Sequence, residues 1–107
     1  MEDNRTQRLA KIIKSAAATF LELESNHASL ITVTDIKFSK DGKYATILFT
    51  VFPEDKQDAV LDFAKRKRSE FKQHIKSHTK IGIIPLFDFD IDYGEKHRQK
   101  IDLIPLN

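Results

Sequence analysis

The 107-residue chain is long enough for one domain with one core, because 40% of its residues are apolar and eight are phenylalanine. A chain of this size buries roughly two-thirds of the surface that its unfolded form exposes. The absence of cysteine excludes disulfides, thiolate zinc sites and cysteine nucleophiles, and is typical of a reducing cytosol. The N-terminal region lacks a signal-peptide pattern and no apolar run approaches a membrane span, so we expect a soluble cytoplasmic domain.

The net charge of +2 conceals two segments of opposite sign. Residues 64–80 contain seven Lys or Arg and one Glu, whereas residues 87–95 contain four carboxylates and no cation. Solvated protein surfaces usually intersperse their charges. The polarised distribution is therefore more informative than the net charge.

The first predicted element is an amphipathic helix from Arg5 to Glu24. Its apolar side chains recur at helical spacing and would form one stripe on the core side. The stripe comprises Leu9, Ile12, Ile13, Ala16, Phe20 and Leu23. The polar, turn-forming residues 24–29 then end the helix.

Two strands and a tight turn follow the helix. Leu30 to Phe38 alternates as a strand does, but the alternation changes phase across Thr34 and Asp35, which predicts a β-bulge or bend. The Asp41–Gly42 pair predicts a hairpin turn, because glycine readily adopts positive φ. Tyr44 to Phe52 would form the return strand, with an apolar face of Ala45, Ile47, Phe49 and Val51.

A second helix is predicted after Pro53, which ends the preceding strand because it has no amide donor, and the helix continues to about Ser77. Its apolar side would comprise Val60, Phe63, Ala64, Phe71 and Ile75 and extend to His78. Lys67 falls in the middle of this side, where burial of an ammonium group is costly. The pattern favours a kink at residues 67–69 over a straight helix in which the Lys67 stem reaches out to solvent.

The last predicted strand runs from Ile81 to Ile91, and Pro85 within it indicates an edge position or an irregular start. One face would carry Ile81, Ile83, Phe87, Phe89 and Ile91, and the other would carry Asp88, Asp90 and Asp92. The element order is α-β-β-α-β, which defines an α+β fold. Two helices on one face of a three-stranded sheet would bury all the apolar stripes.

Two groups of side chains are weak candidates for metal binding. Asp88, Asp90 and Asp92 have the spacing that opens a calcium loop, but Tyr93 and Gln99 stand where such a loop needs Gly and Glu. We interpret the three carboxylates as the solvated face of a strand.

His74 and His78 are four residues apart on a helix, a spacing at which two imidazoles can bind one metal ion. The segment lacks the Glu of the metalloprotease motif and an evident third ligand, so we interpret both as ordinary helix-face histidines. No Gly-rich phosphate loop occurs, and we expect no catalytic residue, metal or cofactor. A small hydrolase or metal-dependent enzyme is an alternative function, but no group of catalytic or metal-binding residues in the sequence supports it.

Residues 64–76, AKRKRSEFKQHIK, carry the main functional signal. Four cations, Lys65, Arg68, Lys72 and Lys76, fall within about 80° of one another on a helical wheel. Such a basic ridge beside an apolar stripe is typical of helices that follow phosphates. Without acidic partners at i±4 these like charges would repel, which favours polyanion binding over an ordinary solvated face.

Three stretches in order give the chain a resemblance to the bacterial ribosome-binding factor A family. They are RLAKII, ITVTDIKFSKDGKYATILFTVF and IIPLFDFDID. The similarity extends over residues 8–103. It is carried by Val33, Ile36, Phe38, Ser39, Asp41, Ala45, Pro85, Phe87 or Phe89, and Asp90. None of these motifs is specific on its own, but the three stretches in this order are characteristic of the family.

The resemblance implies a KH-like domain of the type II order α-β-β-α-β, which has a helix-kink-helix in place of the GxxG loop of ordinary KH domains. This sequence likewise contains no GxxG. It departs from the family at the kink, where Lys67, Arg68 and Ser69 occupy the usual Ala-x-Gly positions. The family's Arg after the kink corresponds to Lys72, which keeps the charge but not the guanidinium fork.

The resemblance further implies a factor for late maturation and rRNA processing of the small ribosomal subunit, which binds the subunit and its rRNA. Structured RNA offers phosphates and shape, which suit cations on a rigid helix. We expect RNA contacts from Lys65, Arg66, Lys67, Arg68, Lys72 and Lys76, with Arg5, Arg8, Lys11 and Lys14 secondary.

We expect a monomer with a single domain over residues 1–107, and neither a membrane nor a small-molecule substrate as a partner. The alternative function is a protein-interaction module in which the basic ridge binds an acidic protein instead of RNA.

Overall fold

In a computed structural model of the chain, residues 4–94 are described, and they form three α-helices and a three-stranded sheet. The elements are α1 (Asn4–Glu24), β1 (Leu30–Phe38), β2 (Tyr44–Phe52), a 3-10 turn (Glu54–Lys56), α2 (Gln57–Arg66), α3 (Arg68–His78) and β3 (Leu86–Ile91). The sheet order is β1-β2-β3, with β1 antiparallel and β3 parallel to β2. The predicted α+β fold is confirmed.

The hairpin of β1 and β2 forms with the predicted irregularity. Pairing is regular up to Val33 and Phe49, shifts between Val33 and Asp35, and resumes with Asp35 opposite Leu48. The extra residue restores the inward orientation of the second half of β1, so that Ile36 is buried. Gly42 lies in the turn with φ of +75°, a conformation that glycine adopts without a steric penalty.

The core lies between the three helices and one face of the sheet. Its buried side chains are Ile13, Ala17, Phe20, Leu21, Ile36, Ala45, Ile47, Phe49, Val51, Val60, Ala64, Phe71, Ile75, Phe87, Phe89 and Ile91. The centroid of the Phe71 ring lies 5.3 Å from that of Phe20, 4.8 Å from Phe87 and 5.5 Å from Phe89. Aromatic pairs of this kind stabilise beyond their buried area. Phe71 therefore joins α3 to both α1 and β3.

The apolar stripe predicted for α1 is correct in its centre and wrong at two positions. Ile13 and Phe20 are buried, and Leu9 and Ala16 pack against the core. Ile12 and Leu23, in contrast, are 43% and 68% exposed, and Ala17 and Leu21 are buried in their place. A stripe through residues 13, 17, 20 and 21 is equally compatible with helical spacing. This is the stripe that packs against β1 and α3.

The predicted kink at residues 67–69 is confirmed. Lys67 has φ −100° and ψ 12°, and it is both the C-cap residue of α2 and the N-cap residue of α3. Its amide donates to the Ala64 carbonyl at 3.0 Å, and its carbonyl accepts from the Phe71 amide at 2.9 Å. The break keeps apolar residues of both α2 and α3 buried. The predicted apolar side ends earlier than expected, because His78 is exposed.

The third strand is shorter than predicted. It begins at Leu86 and not at Ile81, and it pairs with β2 from Leu86 to Ile91. Pro85, which has no amide to donate, is buried immediately before the strand, and the residues preceding it form no ladder. Ile83 was assigned to the inner face and is instead 92% exposed. The predicted edge position of the strand is confirmed.

Replacing Phe71 with alanine should lower the free energy of unfolding by about 3–5 kcal/mol, because the ring is fully buried and its loss leaves a cavity. Urea denaturation measures this change. Leu23→Ala on the exposed side of α1 is the matched control and should change stability by only about 0.5 kcal/mol. Equal effects of the two substitutions would contradict the central role of Phe71.

Candidate nucleic-acid interface

The six cations predicted to contact RNA lie on both sides of the helix break. Lys65 and Arg66 end α2, Lys67 occupies the break, and Arg68, Lys72 and Lys76 belong to α3. Arg68, Lys72 and Lys76 follow one another at i+4 spacing along one flank of α3. We call these three residues and Lys65 the cation row. Arg66 and Lys67 lie outside it.

Asp88 on β3 connects the first two members of the cation row. Its Oδ1 atom accepts from Lys65 Nζ at 2.9 Å, from Arg68 Nη1 at 3.2 Å and from the Phe89 amide at 2.9 Å. The Nε atom of Arg68 also donates to the Lys65 carbonyl at 2.9 Å, which satisfies one of the carbonyls left free at the end of α2. One carboxylate thus holds α2, α3 and β3 together and fixes the direction of two cations.

The environment of Asp88 favours its charged form. Burial alone would raise the pKa of this carboxyl, but the hydrogen bonds from Lys65 and the Phe89 amide and the charges of Lys65 and Arg68 lower the pKa below 3.8. The carboxylate therefore stays ionised at neutral pH, and it neutralises part of the cation row.

Arg66 and Lys67, the two cations outside the cation row, pair with acids other than Asp88. Lys67 Nζ lies 3.4 Å from Glu24 on α1 and 4.0 Å from Glu70, and it is 6.0 Å from the centre of the Phe63 ring. Arg66 Nε lies 3.3 Å from Asp62, one turn earlier on α2. Both side chains therefore have acidic partners that the cation row does not share.

Four of the six cations have acidic partners, namely Lys65, Arg66, Lys67 and Arg68. The cation row has no carboxylate at i±4, as the sequence indicates, but Lys65 and Arg68 pair with Asp88 from a distant part of the chain. Within residues 4–94, no carboxylate lies within 4.0 Å of Lys72 or Lys76. The helical wheel missed the main partner, Asp88, because that residue is 20 or more positions away along the chain and approaches only in the folded sheet.

The secondary cations lie on α1. Arg5, Arg8 and Lys11 are exposed, and Lys14 is half-buried. Arg5 and Arg8 line a surface cavity together with Lys80, which follows α3. Lys80 was not among the predicted contacts, although it ends the basic segment of residues 64–80.

Asp88 and Asp90 lie on the face of β3 opposite to Phe87 and Phe89, and Asp92 follows the strand. The interpretation as a solvated strand face holds for Asp90, which is exposed. It is wrong for Asp88, which is ion-paired, and for Asp92, which accepts hydrogen bonds from the Thr34 hydroxyl and the Gly94 amide. His74 and His78 stack with ring centroids 4.1 Å apart. In the part of the chain that the structure describes, no three His, Asp or Glu side chains converge as a metal site would require. No helix in the same part is long and apolar enough to cross a membrane.

The mixed sheet, the helices on one face and the broken second helix together define a KH-like α+β domain of type II order. The family model of ribosome-binding factor A matches residues 5–104 of the chain. The chain belongs to the ribosome-binding factor A family.

Two relatives with this name have comparable similarity. The protein of Francisella tularensis subsp. novicida is 25% identical over 105 residues, which cover 92% of this chain and 73% of that protein. The protein of Thermodesulfovibrio yellowstonii is 26% identical over 100 residues, which cover 92% and 85%. The crystal structure of ribosome-binding factor A from Thermus thermophilus has the same fold, with a TM-score of 0.70 and 20% identity over 79% of this chain and 92% of that one.

Asp88→Asn should destabilise the protein at pH 7 by about 0.5–1 kcal/mol, the usual contribution of partly exposed ion pairs. Because the pKa of Asp88 is lowered by folding, this stabilisation is present above pH 3.8 and is lost as the pH falls through the folded pKa. Urea denaturation at a series of pH values measures the difference between wild type and variant.

The matched control for this prediction is Asp90→Asn, since Asp90 lies on the same strand face and contacts no cation of the described residues. Its effect should be smaller at pH 7. A difference between Asp88→Asn and wild type that persists undiminished in acid would refute the ion-pair explanation.

Proposed function

We propose that the chain binds the small ribosomal subunit through its rRNA and acts in late maturation of the subunit and in rRNA processing. It acts as a binding factor without catalytic chemistry, as a cytoplasmic monomer in which residues 1–107 form a single RNA-binding domain. The cation row supplies the main phosphate contacts, and Arg66, Lys67, Arg5, Arg8, Lys11 and Lys14 contribute secondary ones.

Membership of the ribosome-binding factor A family is the observation that carries this proposal. The relatives named above are ribosome-binding factors, and the chain aligns with most of their length. The residues add a physical reason, because a rigid helix with cations at i+4 spacing suits RNA phosphates.

Lys72 and Lys76 are the members of the cation row best placed to test the proposal, because neither is paired with an acid within residues 4–94. Their substitution therefore removes charge without breaking an ion pair of the fold. Lys65 and Arg68 are less suitable, since their loss would also leave Asp88 without its partners.

The double variant Lys72→Gln/Lys76→Gln should bind small subunits about ten- to fifty-fold more weakly at 0.1 M salt, because each lost phosphate contact removes almost one unit from the logarithmic salt slope. Co-sedimentation through sucrose gradients over a range of salt concentrations measures both quantities. Lys37→Gln/Lys40→Gln, at the end of β1 and in the adjoining turn, is the control and should bind as wild type does.

Two results would count against RNA binding by the cation row. One is an unchanged affinity of the Lys72→Gln/Lys76→Gln variant. The other is a shallow salt dependence together with capture of an acidic protein from nuclease-treated lysate, which would favour the protein-interaction alternative.

A further inference from the structure

Three aromatic rings follow one another along the side of α3 that faces α1, and we call Phe71, His74 and His78 the ring column. The centroids of Phe71 and His74 are 6.3 Å apart and those of His74 and His78 are 4.1 Å apart, with 18° between the ring planes in each pair. Phe71 is buried, His74 is half-buried and His78 is exposed. The column therefore leads from the core to solvent, and no further ring within residues 4–94 stacks on His78.

The ring column is held in place before any ligand binds. His78 Nδ1 lies 3.0 Å from the His74 carbonyl oxygen, and because that oxygen can only accept, Nδ1 is the donor and the ring orientation is fixed. His74 packs against Phe20 with a centroid distance of 5.4 Å. Burial lowers the pKa of His74, nearby His78 lowers it further and Glu24 opposes this, so the inner imidazole is neutral at pH 7.

The exposed end of the column opens into a groove between α1 and α3. The groove has a volume of about 600 Å³, and its lining includes Lys11, Ile12, Leu23, His74 and His78. This volume is within the range of small-ligand sites. Ile12 and Leu23 are the two large apolar residues of α1 within the described chain that packing leaves exposed, so they give the groove an apolar wall.

A cationic cavity adjoins the groove, because Ile12 lines both. Its lining includes Arg5, Arg8 and Lys80. Together the groove and the cavity present four cations, and no described residue that lines either of them is a carboxylate. An uncompensated positive charge next to an exposed aromatic face suits a ligand that has both an anionic group and a flat ring.

We propose that this groove binds an unpaired nucleotide of RNA, with its base stacked on the outer face of His78 and its phosphates held by Arg8, Lys11 and Lys80. The inference rests on the proposed RNA binding and adds to it a second kind of contact. Proteins that bind single-stranded RNA combine aromatic platforms with cations in this way. A base inside a duplex cannot expose its face to the imidazole, so the site selects an unpaired nucleotide.

A substitution series at His78 tests the proposal, because the side chain is exposed and its replacement does not disturb the core. His78→Ala removes the ring, His78→Phe retains a ring that cannot be charged, and His78→Lys supplies a charge without a ring. The probes are a short single-stranded RNA that contains 2-aminopurine, whose fluorescence is quenched by stacking, and a blunt RNA duplex. His27→Ala, an exposed histidine in the loop after α1, is the matched control.

His78→Ala should weaken binding of the single-stranded RNA roughly ten- to hundred-fold and abolish quenching, as expected from the loss of one stacked base. His78→Phe should stay within about two-fold of wild type, His78→Lys should resemble His78→Ala, and duplex binding should be unchanged in all variants. Equal weakening of single-stranded and duplex RNA, or full rescue by lysine but not by phenylalanine, would overturn stacking.

The same series separates this inference from the proposed function. If wild type binds small subunits but not the single-stranded RNA, the nucleotide site is refuted and ribosome binding stands. If His78→Ala weakens subunit binding and leaves single-stranded RNA binding unchanged, the groove contacts a ribosomal protein and the nucleotide proposal fails. If wild type does not bind subunits, the proposed function fails independently of the oligonucleotide result.

Discussion

The arrangement of α2 and α3 depends on placing the Lys67 ammonium group in a polar environment. In an unbroken helix at 100° per residue, Lys67 would lie on the core side between Ala64 and Phe71, where an unpaired charge is costly. The break removes this conflict, because the ammonium reaches Glu24 at 3.4 Å while Ala64 and Phe71 remain buried. The backbone angles at Lys67, φ −100° and ψ 12°, are accessible to residues other than glycine. The chain therefore forms the kink that the resemblance implies, with Lys67, Arg68 and Ser69 in place of the Ala-x-Gly expected there.

The ion pairs of the helices decide which cations remain available. Lys67 at the break reaches Glu24, and Arg66 pairs with Asp62 within α2. Among residues 4–94, the cation row then has a single carboxylate partner, Asp88. Four cations against one acid give the row a net charge of +3. Partly exposed ion pairs contribute only about 0–1 kcal/mol, so a phosphate can replace Asp88 at little cost. Before RNA binds, the contacts with Asp88 already restrict the Lys65 and Arg68 side chains, which reduces the rotamer entropy that binding would otherwise remove.

Features set by neighbouring residues could be predicted from the sequence, and features set by distant contacts could not. The bulge at Thr34–Asp35 and the break at Lys67 follow from a local conflict in pattern or charge, and the turn at Gly42 follows from the Asp41–Gly42 pair. The choice of Ala17 over Ile12 in the core required knowledge of how α1 packs, and the pairing of Lys65 with Asp88 required the position of β3. The ring column is an intermediate case. Residues 71, 74 and 78 have helical spacing, but spacing alone predicts only ordinary helix-face histidines and does not show that their rings stack.

The two kinds of contact proposed for RNA lie on opposite flanks of α3. At 100° per residue, Lys72 and Lys76 are separated from His74 and His78 by roughly 120–160°, with the row towards β3 and the ring column towards α1. The crest between them carries the exposed residues Ser69, Gln73 and Ser77, which are polar and uncharged, and Glu70, whose carboxylate lies 4.0 Å from Lys67 Nζ. An α-helix with its side chains is about 10–12 Å across. One RNA element that encloses this crest could therefore place phosphates against the row and an unpaired base against His78 at the same time. A smooth duplex could satisfy only the first of these contacts, so the arrangement of α3 favours RNA in which a helix adjoins an unpaired nucleotide.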